Sequence, residues 1–312
     1  MKTSAIVVLL CFLAACTVEE TAEPVVDQVR PDIIATNAFY YYDDVESAWE
    51  FYRDTLGFET VIDYGFAKIV RVADTSYLTL VQASEGMHSA DEPKTVTLSL
   101  VTDELSRWHE HLAAQNVTML VDYVETDGNK PNSFVATDPG GYALKFVRFN
   151  PHPNHESFVA AFADNEPVLS SVANVSGDLS IRATAHSVYF ESLEGIPSFY
   201  EGLLGIEVAG QLEGLPAYQV AGSGFLVLVE GGDELHEPTV LNGVTLSFLS
   251  SDVDAWFERA TSWPGFELRT PEILVEAEVV RVFVGYDPTG KFLEWDTFLN
   301  APENAALLKY LP

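Results

Sequence analysis

Phe51-Tyr52-Arg53-Asp54-Thr55-Leu56-Gly57-Phe58-Glu59 returns without a gap as Phe199-Tyr200-Glu201-Gly202-Leu203-Leu204-Gly205-Ile206-Glu207, 148 residues later and identical at five of nine positions. At the same offset Ala35-Thr36 matches Ala183-Thr184, and Leu98-Ser99 with Trp108 matches Leu246-Ser247 with Trp256. Further on, Asp138-Pro139-Gly140-Gly141 answers Asp287-Pro288-Thr289-Gly290 at an offset of 149, so one residue has been inserted before that point. A register held this long marks an internal duplication.

Working outward, residues 33–42 alternate as a strand and lead to a helix opened by Asp43 or Asp44. Ala48, Phe51, Tyr52 and Leu56 form its apolar face and Gly57 closes it. Strand-like runs follow near 58–63, 67–72 and 77–82. The pattern repeats from 95–101 through a helix at 103–115 to strands near 119–124, 133–137 and 142–149, and all of it recurs over 181–298. The chain therefore holds four β-α-β-β-β units. One unit cannot bury both faces of its sheet, so units must pair, and two four-stranded sheets joined edge to edge make a curved trough. The predicted fold is α+β, with two domains at 33–150 and 181–299, each of two paired units. A linker with a short helix spans 151–180, and 300–312 ends in another.

At 312 residues and 47% apolar content the chain can fill a core in each domain. Ala5 to Leu13 is too short to cross a bilayer but suits the apolar region of a signal sequence over 1–15. It ends in Leu13-Ala14-Ala15-Cys16, which resembles the lipobox of bacterial lipoproteins, and that resemblance implies lipidation at Cys16. Thr17 in place of an inner-membrane retention aspartate points to an outer-membrane lipoprotein facing the periplasm, with 16–32 as an acidic tether. Cys11 is the other cysteine and lies inside the signal, so no disulfide is expected in the mature chain. Removing the signal takes away Lys2 and no acid, moving the net charge from −31 to −32. Such a chain repels nucleic acid and anionic lipid, so membrane contact is expected through the anchor alone.

The order of these motifs resembles the vicinal oxygen chelate superfamily of glyoxalase I, bleomycin and fosfomycin resistance proteins, extradiol dioxygenases and methylmalonyl-CoA epimerase. The carriers are the Asp44–Phe58 helix motif, Leu-Val-Thr-Asp before Trp108, and Asp138-Pro-Gly-Gly-Tyr before a final strand. The resemblance implies two glyoxalase-like domains with up to four metal ligands facing each trough. In the first copy those positions fall on Asn37, Thr79, Val96 and Lys145, and in the second on Ala185, Val227, Val244 and Glu294. A divalent ion needs anionic or imidazole donors, so the first set implies no metal and the second leaves Glu294, with His186 one residue from its position as the candidate partner. No cofactor is expected overall, with a divalent metal in the second domain as the alternative.

Alternation brings Phe39 and Tyr41 to the face of Asn37, joined by Thr79, Val96, Leu98 and Lys145. That lining suits a flat or acyl ligand whose anionic group pairs with Lys145. The second lining is Ser187, Tyr189, Val227 and Glu294. The expectation is a lipid-anchored, metal-free protein that binds a small molecule. The alternatives are a metal-dependent lyase, epimerase or dioxygenase centred on Glu294, and an envelope interaction module.

Overall fold

The computed structural model describes residues 30–126, 128–171 and 179–311. The expected signal sequence, Cys16 and most of the expected tether lie outside them. Each unit folds as its pattern predicts. The first has strand Ala35–Tyr42, helix Val45–Glu50 continuing through a π-helical turn at Phe51–Thr55, then strands Glu59–Asp63, Ala67–Ala73 and Ser76–Gln82. Asp44 is the N-cap, its carboxylate accepting from the Ser47 amide at 3.1 Å. The helix of the third unit, Ile196–Leu204, ends on Gly205 at φ 61, a left-handed position that favours glycine. The fourth unit departs most, with its second strand split into Glu267–Leu268 and Leu274–Glu276, both paired with Val280–Tyr286.

The expected pairing was within each copy, whereas the structure pairs the units across the duplication. Strand Ala35–Tyr42 of the first unit lies antiparallel to Val244–Leu249 of the fourth, with Asn37 opposite Ser247. Val96–Val101 of the second lies antiparallel to Ala183–Phe190 of the third, with Ser99 opposite Ala185. One sheet has nine strands and the other eight, and each draws on both halves of the chain. The connections 83–95 and 231–243 carry the chain from one sheet to the other. Thr75 and Ser223, equivalent residues in the two copies, bond to each other where the copies meet: the Ser223 amide donates to Thr75 Oγ1 and the Thr75 amide to Ser223 Oγ, both at 2.7 Å. These reciprocal bonds mark the pseudo-twofold axis.

The helix-bearing faces of both sheets merge into one core. Tyr40 stacks on Tyr142 with centroids 3.9 Å apart, and Trp256 on Trp295 at 5.9 Å. The Tyr142 hydroxyl receives the Tyr41 amide at 2.9 Å and donates to the Gly243 carbonyl at 2.5 Å, tying the sheets together. The two small helices close one end of each trough. Phe158 and Phe162, from linker helix Pro153–Ala161 and its C-terminus, pack among Val147, Ala185 and Phe225 of the eight-stranded sheet. Leu307, near the chain end, packs on Ile69, Tyr77 and Leu249 of the nine-stranded one.

The linker helix sits directly on Gly210, where an added Cβ would lie 2.5 Å from the Phe158 backbone nitrogen. Backbone cannot swing aside as a side-chain tip can. Gly210→Ala should therefore lift the helix and lower stability by about 1–3 kcal/mol, measured by thermal denaturation.

Candidate functional site

The cross-pairing redistributes the candidate residues. Asn37, Phe39, Tyr41 and Thr79 do share a trough-facing surface, that of the nine-stranded sheet, but Lys145 stands in the other sheet, beside Ser99. Glu294 takes the corresponding place beside Ser247 in the first trough. Lys145 instead joins Ser187, Tyr189 and Val227. The two linings expected from sequence have thus exchanged their charged members.

Val96 does not face either trough. It packs in the main core with Leu98 and Leu100, as Val244 does with Leu246. Counting from the helix motif lands one residue off, and in a strand one residue reverses the face. The trough side of these strands carries Thr97 and Ser99 in one sheet, Thr245 and Ser247 in the other.

The suggested pair of His186 and Glu294 is also separated. His186 lies in unbroken register between its neighbouring strands, and with no bulge it points away from the trough. Its ring meets Tyr40 edge-on at 6.3 Å. Burial lowers its pKa to about 4, and Nε2 is enclosed without a partner. It is a neutral core histidine.

The first trough holds a cavity of about 150 Å³ walled by Phe39, Tyr41, Val81, Met87, Val282 and Val284. Phe66 and Leu274 stand at its rim, 49% and 38% exposed, with Glu85, Arg269 and Glu276 around them. At its base, Glu294 is 5% exposed, and Asp296, two residues along the same strand and on the same face, 2%. The two carboxyl groups interact closely enough to shift each other's pKa. Asp296 also accepts from the Ser247 hydroxyl at 2.5 Å.

Burial is the main cause that raises both carboxyl pKa values above the ordinary range. The negative charge of Asp296 and the bond to it raise Glu294 further, whereas bonds from Ser247 and Glu294 pull Asp296 down. Both directions favour the protonated form of the pair, more strongly at Glu294 than at Asp296. Sequence singled out Glu294 and missed Asp296, although Glu-x-Asp in a strand places both carboxyls on one face.

The other polar groups around this trough are mostly satisfied. Asn37 donates to Thr79 Oγ1 at 2.8 Å and accepts from it at 3.1 Å. The Tyr41 hydroxyl lies 2.9 Å from Thr245 Oγ1, and its pKa is raised by burial and then by Glu294. His88, which sequence did not single out, packs behind the wall, its ring 4.9 Å from Tyr41 and 4.4 Å from Phe292. Its Nδ1 is 2.6 Å from a Glu92 carboxylate oxygen.

The second trough encloses about 230 Å³ between Lys145, Ser187, Tyr189, Glu213 and Asp233. The Lys145 ammonium bonds to Glu213 at the tip of a hairpin. The Tyr189 hydroxyl donates to Asp233 at 2.6 Å, and Thr97 Oγ1 lies 2.9 Å from His236 Nε2.

Neither donor set fits a resident divalent ion. The first trough offers the single buried carboxyl of Glu294 at its lining, near hydroxyls and an amide already paired. Among the described residues no three His, Cys, Asp or Glu side chains converge as a metal site would require.

Residues 33–146 match the model of the Glyoxalase/Bleomycin resistance protein/Dioxygenase superfamily. Over those residues the chain carries a domain of that superfamily. A Bacillus subtilis subsp. subtilis str. 168 protein provisionally called a dioxygenase aligns with a TM-score of 0.58 and 16% identity, covering 86% of each chain. Glyoxalase I from Zea mays aligns with a TM-score of 0.57 and 12% identity, over 89% of this chain and 94% of that one. At such identities the likeness is one of fold. No curated protein matches the sequence.

Proposed function

We propose that this is a lipid-anchored, metal-free binding protein whose principal site is the trough between the first and fourth units, and that its ligand is a small apolar amine. The observation that carries this reading is the buried Glu294 carboxyl that lines an aromatic-walled cavity, with the buried Asp296 two residues along the same strand behind it. A carboxyl pair out of water is costly when charged, and an ammonium against it supplies charge-assisted hydrogen bonds in place of the proton. Phe39 and Tyr41 supply aromatic walls, and the rim carries two carboxylates against one guanidinium. The net charge of −31 draws cations toward the protein. Phe66 and Leu274 give an apolar tail a landing as it leaves the cavity.

Calorimetric titration with benzylamine, benzamide and benzoate tests this. Benzylamine should bind at one equivalent and benzoate should not. The double variant Glu294→Gln with Asp296→Asn, which keeps shape and hydrogen bonding but removes the charge, should weaken benzylamine by about a hundredfold, or about 2.7 kcal/mol. Equal binding of benzoate, or an unaffected double variant, would overturn the reading. The metal-dependent alternative would need donors that the trough does not supply. Anchoring rests on the Leu-Ala-Ala-Cys motif. Cys16→Ser should abolish acyl labelling and release the protein from membranes, whereas labelling that persists would refute it.

A further inference from the structure

The position occupied by Glu294 in the first trough is occupied by Lys145 in the second: each lies beside the equivalent serine, Ser247 or Ser99, on the last strand of its unit. After duplication, the same place in the sheet carries opposite charges. Lys145 faces a cavity of about 230 Å³, and its partner there is Glu213. Glu213 belongs to the two-residue turn between strands Glu207–Leu212 and Leu215–Ala221, in a left-handed backbone conformation at φ 54. Its side chain is 39% exposed, against 18% for that of Lys145. The cation is thus built into the sheet, while the carboxylate reaches it from a solvent-facing hairpin. Beside them, the Ser99 and Ser187 hydroxyls line the same cavity and make no hydrogen bond among the described residues.

We infer that the second trough is a separate binding site for a small hydroxy-carboxylate, and that Glu213 occupies the carboxylate position while no ligand is bound. An incoming carboxylate would exchange with that of Glu213 on the Lys145 ammonium, one charge-assisted bond for another. Its hydroxyl would meet the unused hydroxyls of Ser99 and Ser187. Because the hairpin carboxylate competes within the molecule, the apparent affinity for the ligand is lowered by the fraction of time Lys145 is held. The linker residues Phe158 and Phe162 fill the far end of this trough, which limits the ligand to a few carbons.

The test is calorimetric titration of the full-length protein with glycolate, and with uncharged glycolamide, at about 0.15 M salt, where the repulsion of the acidic surface is screened beyond about 8 Å. Glycolate should bind and glycolamide should not. Glu213→Ala, at an exposed turn that leaves the fold intact, should raise glycolate affinity by about three- to tenfold. Lys145→Met should abolish binding, with an unchanged circular dichroism spectrum and melting transition as the check on folding. Absence of glycolate binding even in Glu213→Ala, equal binding of glycolamide, or binding retained in Lys145→Met would overturn the inference. None of these results bears on benzylamine in the first trough, so the two sites stand or fall separately.

Discussion

Asp138→Ala is expected to destabilise the protein by about 3–5 kcal/mol, the largest effect of any single substitution considered. The Asp138 carboxylate is buried where the first two units meet. One oxygen accepts from the Tyr42 hydroxyl at 2.6 Å and the Tyr52 hydroxyl at 2.9 Å, the other from the Gly140 amide at 2.9 Å and the Tyr142 amide at 2.8 Å. Removing it strands four donors, two on the aromatic side chains that support the trough strand and its helix. Asp287 performs the same task in the second copy, accepting from Tyr200, from Thr289 twice and from the Lys291 amide. The Asp-Pro-x-Gly motif therefore acts as a structural clasp. Asp138→Asn, which keeps an acceptor oxygen, should cost about half as much in urea denaturation. A loss under about 1 kcal/mol for Asp138→Ala would show that water satisfies these donors instead.

Glu294→Gln should stabilise the protein progressively as pH rises toward 8 and by nothing measurable at pH 4. In the folded protein burial raises the Glu294 pKa well above its ordinary 4.5, so the group keeps a proton that the unfolded chain gives up. Where the folded state binds more protons, stability falls as pH rises, beginning near the ordinary pKa and ending at the raised one. Below the ordinary value both states are protonated and the penalty is absent. Glutamine donates to Asp296 as the protonated acid does, and carries no such penalty. Thermal melts of both proteins from pH 4 to pH 8 should therefore diverge toward high pH. Parallel curves would mean that Glu294 ionises in the folded state much as it does in water.

How far the sequence carries depends on the range of the interaction. The four units were legible because each is set locally, by alternating strands, by Asp44 opening a helix that Gly57 closes, and by Gly205 ending another. Which units pair was not legible. Any first strand could accept any other as its antiparallel neighbour, and the choice rests on contacts between distant residues, such as Thr75 with Ser223 and Tyr142 with the Tyr41 amide. That ambiguity exchanged Lys145 and Glu294 between the linings. The face of Val96 was lost to a one-residue count, and the suggested pairing of His186 with Glu294 fails on the same alternation, which turns a residue one place along to the other face. Asp296 was readable but overlooked, since its role appears only once Glu294 is known to lie at the base of a cavity.

The central claim is that the Glu294–Asp296 pair receives the ligand's cation, and the most direct measurement is the titration of its carboxyl carbons by 13C NMR, with and without saturating benzylamine. An ammonium seated against the pair favours its ionised form, so the apparent pKa should fall by about one unit or more when benzylamine is bound. An apparent pKa that benzylamine leaves unchanged, or raises, would contradict the account.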